Sequence, residues 1–146
     1  MTIDWNRGGA VVVLLLICTA GASPARADRA GTVDAEDFAS ADGQKIYSHI
    51  CQGCHMPQGQ GAEGAGHYPA LAGNPALVSW QYMALTIING RRNMPAFSAK
   101  HAVGNFFAPV VLSDAQIAAV INYVRTHFGN DFKDPATADG VRALDQ

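Results

Sequence analysis

The chain has 146 residues, 10 Lys+Arg against 12 Asp+Glu, and a mean hydropathy of +0.04, which suits one modest domain. Its three cysteines are too few for a disulfide framework. The lack of a basic surplus argues against nucleic acid or anionic lipid as a partner.

Arg7 gives a short positive start, Gly8 to Ala22 is the apolar run "GGAVVVLLLICTAGA", and small residues follow in "SPARA". Ala25 and Ala27 flank Arg26 in the A-x-A arrangement of a cleavage site. This pattern predicts a secretory signal peptide over residues 1–27, with maturation before Asp28. A retained anchor is the alternative, but the apolar run falls short of the roughly 18–20 residues that cross a bilayer. A lipoprotein is disfavoured by the bulky Ile17 just before Cys18. Cleavage leaves 146 − 27 = 119 residues, a charge of 8 − 11 = −3, and two cysteines, Cys51 and Cys54.

Residues 28–39, "DRAGTVDAEDFA", are polar without a clear period and read as a loose N-terminal arm. The stretch "SADGQKIYSHI" predicts a helix capped by Ser40, with Asp42 in its first turn and Ile46 and Ile50 on one face. That helix runs straight into Cys51. From Met56 to Pro75 the chain carries Gly59, Gly61, Gly64, Gly66 and Gly73 along with Pro57, Pro69 and Pro75, and reads as a long loop. A second helix is expected from Ser79 to about Asn89, stopped by Gly90. A third follows the capping box of Ser113 and Gln116; Ile117, Val120, Ile121, Val124 and Phe128 form its apolar stripe and Gly129 its stop. Residues 131–146 read as a polar tail with at most one short turn near Val141.

Three helices and no convincing strand are little to set against an ordering cost of roughly 1.5 kcal/mol per residue. A large apolar cofactor would supply the missing interior.

The chemistry lies in "CQGCH", Cys51 to His55. A redox dithiol needs C-x-x-C opening a helix after a strand, whereas this motif follows a helix. A zinc site needs a second ligand pair, and His49, His67, His101 and His127 have no zinc-like spacing. C-x-x-C-H is also the attachment pattern of c-type haem: two thiols on one turn reach two porphyrin substituents, and the next residue turns its imidazole to the iron.

With that motif, "PAL" at Pro69 to Leu71, "NGRRNMPAF" at Asn89 to Phe97 and "LSDAQIAAVINYVR" from Leu112, the chain resembles a class I cytochrome c over nearly all of Ser40 to Gly129. It is similar in particular to the cytochrome subunits of quinone- or flavin-dependent dehydrogenases.

The resemblance implies an all-α fold of three to four helices around one covalently bound haem c, in a domain over residues 40–130. Cys51 and Cys54 would form the thioethers, and His55 would be one axial ligand of the iron. For the other, Met56 adjoins His55 and cannot reach the opposite face, and Met83 reads as core. The family's "MP" step falls on Met94 and Pro95; a histidine or an open position remain alternatives. Pro69 would accept a hydrogen bond from His55 Nδ1, or serve as a plain turn residue. Leu71, Ile87 and Phe97 are candidates to line the haem crevice, with ordinary core as the other reading. Arg91, Arg92, Trp80 or Tyr82 would hold a propionate, with Arg91 or Arg92 preferred; a solvated face or docking patch is the other reading of the arginines. Tyr47 is expected to meet the Val124 stripe where the terminal helices cross.

Residues 98–111, "SAKHAVGNFFAPVV", lengthen the stretch before the last helix relative to many members of the family, and would either cover the haem edge or form a docking surface. The function implied is a periplasmic one-electron carrier, not an enzyme. Its partners would be redox proteins: a dehydrogenase as donor, and a terminal oxidase or another cytochrome as acceptor. No nucleic acid and no membrane span after signal cleavage are expected. The alternatives are a dedicated electron-accepting subunit of a dehydrogenase, an open-iron haem sensor or enzyme, and a haem-free zinc or dithiol protein.

Overall fold

The structure, a computed structural model, describes residues 42–64, 66–102 and 110–146. The expected signal peptide and N-terminal arm, Ser40, and Phe106 and Phe107 lie outside the described residues. The first helical run opens at Gly43. Asp42 caps it, its carboxylate accepting from the Gln44 and Lys45 amides at 2.9 and 3.4 Å. This corrects the expected cap at Ser40.

The run has three parts: α1 (Gly43–Ile46), a π-helical turn over Tyr47–Cys51, and α2 (Gln52–His55). The wider turn falls just where the chain enters the Cys-x-x-Cys-His motif, and such turns often mark functional positions. Within the Met56–Pro75 loop a two-residue antiparallel pair forms, β1 (Ala62–Glu63) with β2 (His67–Tyr68). It was not expected; it is too short to show the period of a strand.

After a 3₁₀ turn over Pro75–Val78 comes α3 (Trp80–Asn89), capped by the Ser79 hydroxyl. Then α4 (Asp114–Thr126) opens with both halves of the Ser113–Gln116 capping box in place. It ends three residues before Gly129, so Phe128 lies beyond the helix. Its ring still packs on Tyr47, with centroids 4.8 Å apart.

The terminal helices cross as expected. Gly43 sits at the contact, where a Cβ would fall 2.2 Å from the Ala119 carbonyl oxygen, so there is no room for a side chain between the two backbones. Tyr47 and Val124 belong to one core with Ile46, Met83, Ile88, Ile117, Val120 and Ile121.

The C-terminal stretch departs from the reading of a polar tail. Residues Ala138–Leu144 form α5, capped by Thr137. Val141 is fully buried and Ala136 joins the same core, and Gly140 lets the Trp80 ring lie against the helix. Among the described residues no helix is long and apolar enough to cross a membrane.

Candidate functional site

The Cys51–His55 motif spans the end of the π turn and α2, so both thiols project from one helical turn, and both are free of disulfides. Burial first, and the neighbouring Cys54 second, push the Cys51 thiol up to about 12. A redox dithiol needs the opposite, a depressed thiol pKa. Nor do three His, Cys, Asp or Glu side chains gather into a metal cluster among the described residues.

Around His55 the backbone is tied down from several sides. Met56 turns the chain with φ +66°, and its carbonyl accepts from the Tyr47 hydroxyl at 2.7 Å. The Gly59 carbonyl accepts from the Leu71 and Ala72 amides, and the Gly61 amide donates to His55 O at 3.1 Å. Gly61 has φ +70°, and a Cβ there would lie 2.4 Å from Tyr68 O and 2.9 Å from the Pro69 carbonyl carbon. Only glycine lets the Pro69 strand come this near.

The consequence reaches the imidazole. His55 Nδ1 lies 2.9 Å from the Pro69 carbonyl, which can only accept, so Nδ1 carries the proton. Nε2 is left with its lone pair, and the hydrogen bond makes it a better donor to a metal.

Met94 occupies a second tight structure. The Arg91 and Met94 backbones exchange two hydrogen bonds of 3.0 Å each. Gly90 is at φ +70° and Arg92 at +55°, the latter a value that turns mostly reserve for glycine. A Cβ on Gly90 would lie 2.6 Å from Met94 O and 2.7 Å from the Ala96 amide. Pro95 contributes no further donor, and Met94 is half-buried.

Leu71, Ile87 and Phe97, like Cys51, press one side against the core and remain partly uncovered by the chain. Met83 is buried in the core. The arginine beside the Met94 turn is engaged: the Arg91 guanidinium donates to the Tyr82 hydroxyl and lies over that ring. Arg92 is exposed, while Trp80 packs between α3 and α5 and belongs to the core contacts. The spare histidines have partners of their own: His49 the Lys45 carbonyl, His67 Glu63, His101 Asp145, and His127 the Tyr123 carbonyl.

The cytochrome c family model matches residues 40–128. The chain belongs to the cytochrome c family. It is similar to cytochrome c-552 of Thermus thermophilus, 35% identical over 116 residues that cover 73% of this chain and 76% of that protein. It is also 33% identical over 115 residues to the fructose dehydrogenase cytochrome subunit of Gluconobacter japonicus, covering 72% of this chain and 22% of the subunit. The gluconate 2-dehydrogenase cytochrome c subunit of Pantoea cypripedii is 31% identical over 111 residues, 72% of this chain and 24% of that one. The chain thus spans about a quarter of the dehydrogenase subunits it matches.

Membership brings covalently bound haem c and electron transfer, and the fold is the mostly helical one of the family. The residues present fit that group: two free thiols on one turn, an imidazole with Nε2 free of its proton, and partly uncovered apolar side chains.

Two features escaped the sequence. Arg125 is 1% exposed, although it lies on a helix whose stripe is otherwise apolar. It donates to Leu77 O at 3.0 Å and Val78 O at 2.9 Å, pairs with Asp134, and lies over Phe132. That pairing holds the Asp134 carboxyl below its usual range. Asn130, also buried, donates to Leu71 O and Val124 O at 2.9 Å, tying the loop after Pro69 to α4. A buried polar residue needs partners, but which ones depends on contacts some 50 residues away.

Proposed function

We propose that this protein is an exported one-electron carrier whose haem iron is held between His55 and Met94. The observation that carries the reading is the hydrogen bond from His55 Nδ1 to Pro69 O, which leaves Nε2 as a lone-pair donor beside two free thiols. Haem c, attached through Cys51 and Cys54, supplies reversible exchange of one electron between ferric and ferrous iron.

The chain's own residues do the rest. The Pro69 carbonyl holds the His55 tautomer and raises its basicity. The Arg91–Met94 turn presents a thioether, a weak donor that favours the ferrous state and raises the potential relative to a second imidazole. If His55 and Met94 both hold the iron, small oxidants would find no vacant site, and Leu71, Ile87 and Phe97 would keep water from the group. Arg91 stands beside Met94 as a candidate partner for a propionate, and its bond to Tyr82 orients it. The signal-peptide pattern of residues 1–27 supports a periplasmic location, with residues 40–130 as the electron-carrying domain. Its donor would be a dehydrogenase, and its acceptor a terminal oxidase or another cytochrome.

A second reading has specific support. The likeness to cytochrome subunits of fructose and gluconate dehydrogenases favours a dedicated electron-accepting subunit of such a complex. Copurification of a dehydrogenase with the native protein separates the two.

The test of the first reading is spectroscopic. The protein expressed with its maturation machinery should keep its colour through acidified acetone and show a low-spin ferrous spectrum that carbon monoxide leaves unchanged. Rapid carbon monoxide binding would replace the carrier with an open-iron protein; a colourless chain of unmodified mass would remove both.

A further inference from the structure

The backbone of Met94 is committed to Arg91, and Pro95 has no N–H, so the loop's downstream hold comes from the residues that follow. The Phe97 amide donates to Ile87 O at 2.9 Å. The Phe97 carbonyl accepts from the Leu112 amide at 2.9 Å, and a further tie comes from the other end of the chain. Ser98 is 2% exposed; its hydroxyl donates to Asp145 Oδ2 at 2.7 Å and accepts from the Lys100 amide at 3.2 Å. The Ser98 carbonyl accepts from the His101 and Ala102 amides at 3.1 and 2.9 Å, which closes a turn. The Lys100 ammonium donates to the Asp145 main-chain oxygen, and His101 Nε2 lies 3.4 Å from Asp145 Oδ1. Ser98, Lys100 and His101 therefore converge on one residue.

Asp145 is itself firmly set. It closes α5, its amide donating to Val141 O and Arg142 O at 3.2 and 3.3 Å, one turn beyond the fully buried Val141. Its Oδ1 is buried and, despite the nearby His101, accepts no hydrogen bond among the described residues. A carboxylate with one dry oxygen costs stability. Its benefit lies in the fixed place it gives Ser98.

We propose that Asp145 is a positioning residue for the sixth-ligand side: through Ser98 it anchors the segment that follows Met94, and so holds the thioether where the iron needs it. This rests on the His55/Met94 reading above. A thioether is a weak ligand, so the fraction of time Met94 is displaced is set by how readily its loop opens. Cutting a charge-assisted hydrogen bond shifts such an opening by on the order of tenfold to a hundredfold.

The experiment uses mature holo-protein and reads two rates: carbon monoxide binding by the ferrous form, and amide exchange at Lys100, His101 and Ala102. Asp145→Ala and Ser98→Ala should each raise both rates on the order of tenfold to a hundredfold, with haem still attached. Asp145→Asn, which keeps an acceptor for Ser98 but loses the charge, should fall between wild type and Asp145→Ala. Arg142→Ala cuts the tie of α5 to Asp114 and the pair with Asp139 inside α5, and spares Ser98, so it should lower the melting temperature without changing carbon monoxide binding.

If Arg142→Ala accelerates binding as much as Asp145→Ala, the effect is general destabilisation and the proposal is overturned. The same follows if Asp145→Ala and Ser98→Ala bind at the wild-type rate while Met94→Ala binds fast. If Met94→Ala also binds no faster than wild type, the ligation reading fails and this inference falls with it. Should Asp145→Ala fail to accumulate, Ser98→Ala, which deletes a single oxygen, carries the same test.

Discussion

The two sides of the proposed iron site are held in different ways. On the His55 side, residues 47–72 bind one another: Tyr47 to Met56, Gly59 to Leu71 and Ala72, Gly61 to His55, His55 to Pro69. On the Met94 side one short turn, Arg91–Met94, is closed locally, and the stretch beyond it is held by Ile87, by Leu112 and by Asp145 near the end of the chain. The contrast teaches that the imidazole is preorganised chiefly by its own loop, with Asn130 as an outside tie at Leu71, whereas the thioether depends more on distant elements. A covalently attached group tolerates the second arrangement, because opening the Met94 loop does not release it.

Gly61 and Gly90 probe this contrast directly. Each has a positive φ, and each would push a Cβ within 2.4–2.6 Å of a backbone oxygen. Gly61→Ala strikes the interlocked side, which has no slack; we expect a loss of about 3 kcal/mol or more, and poor haem incorporation. Denaturant unfolding and haem yield measure it. Equal tolerance of alanine at both glycines would erase the contrast.

Arg125→Met leaves the Leu77 and Val78 carbonyls without their donor and should cost about 3 kcal/mol, by the usual penalty for stranded buried groups. Since Arg125 touches neither ligand loop, melting should shift while the optical spectrum stays that of wild type.

Gly90→Ala strikes the adaptable side. About 2 kcal/mol is expected, together with carbon monoxide binding in the ferrous state and normal haem attachment. Loss of attached haem in this variant would mean that the Met94 loop is as integral as the His55 loop.

Tyr47→Phe gives the smallest effect, about 1 kcal/mol for the hydrogen bond to Met56. It also has a pH signature. Burial, with Cys51 the next cause, raises the Tyr47 pKa from 10.0 to about 12. The folded value is the higher one, so this group's contribution is complete below pH 10 and is lost as pH rises toward 12. Thioether formation at Cys51 removes one cause and leaves the first, burial. The phenylalanine variant should lack that part of the alkaline loss, as unfolding measured across pH 9–12 would show.

How much of this was legible in the sequence follows the same divide. Helices α3 and α4 announced themselves through Ser79, Ser113 and Gln116 and through apolar spacing, because caps and stripes are local signals. The Pro69 carbonyl could be assigned to His55 from the family pattern, and the two atoms do meet. Of α5 only a short turn near Val141 was legible: seven residues offer one fully buried apolar side chain, too few for a period. Ser98 and Asp145 lie 47 residues apart and Arg125 and Leu77 48, and no local pattern reports such pairings. Arg125, the residue after Val124 in an amphipathic helix, had every reason to look like the edge of a solvated face.

The most direct measurement is the reduction potential of the mature protein beside that of Met94→His, with haem attachment verified in both. If the thioether is the sixth ligand, exchanging it for an imidazole should lower the potential by a sizeable part of the roughly 0.8 V that axial ligands command. An unchanged potential, with the haem still attached and the protein folded, would mean that Met94 never touched the iron.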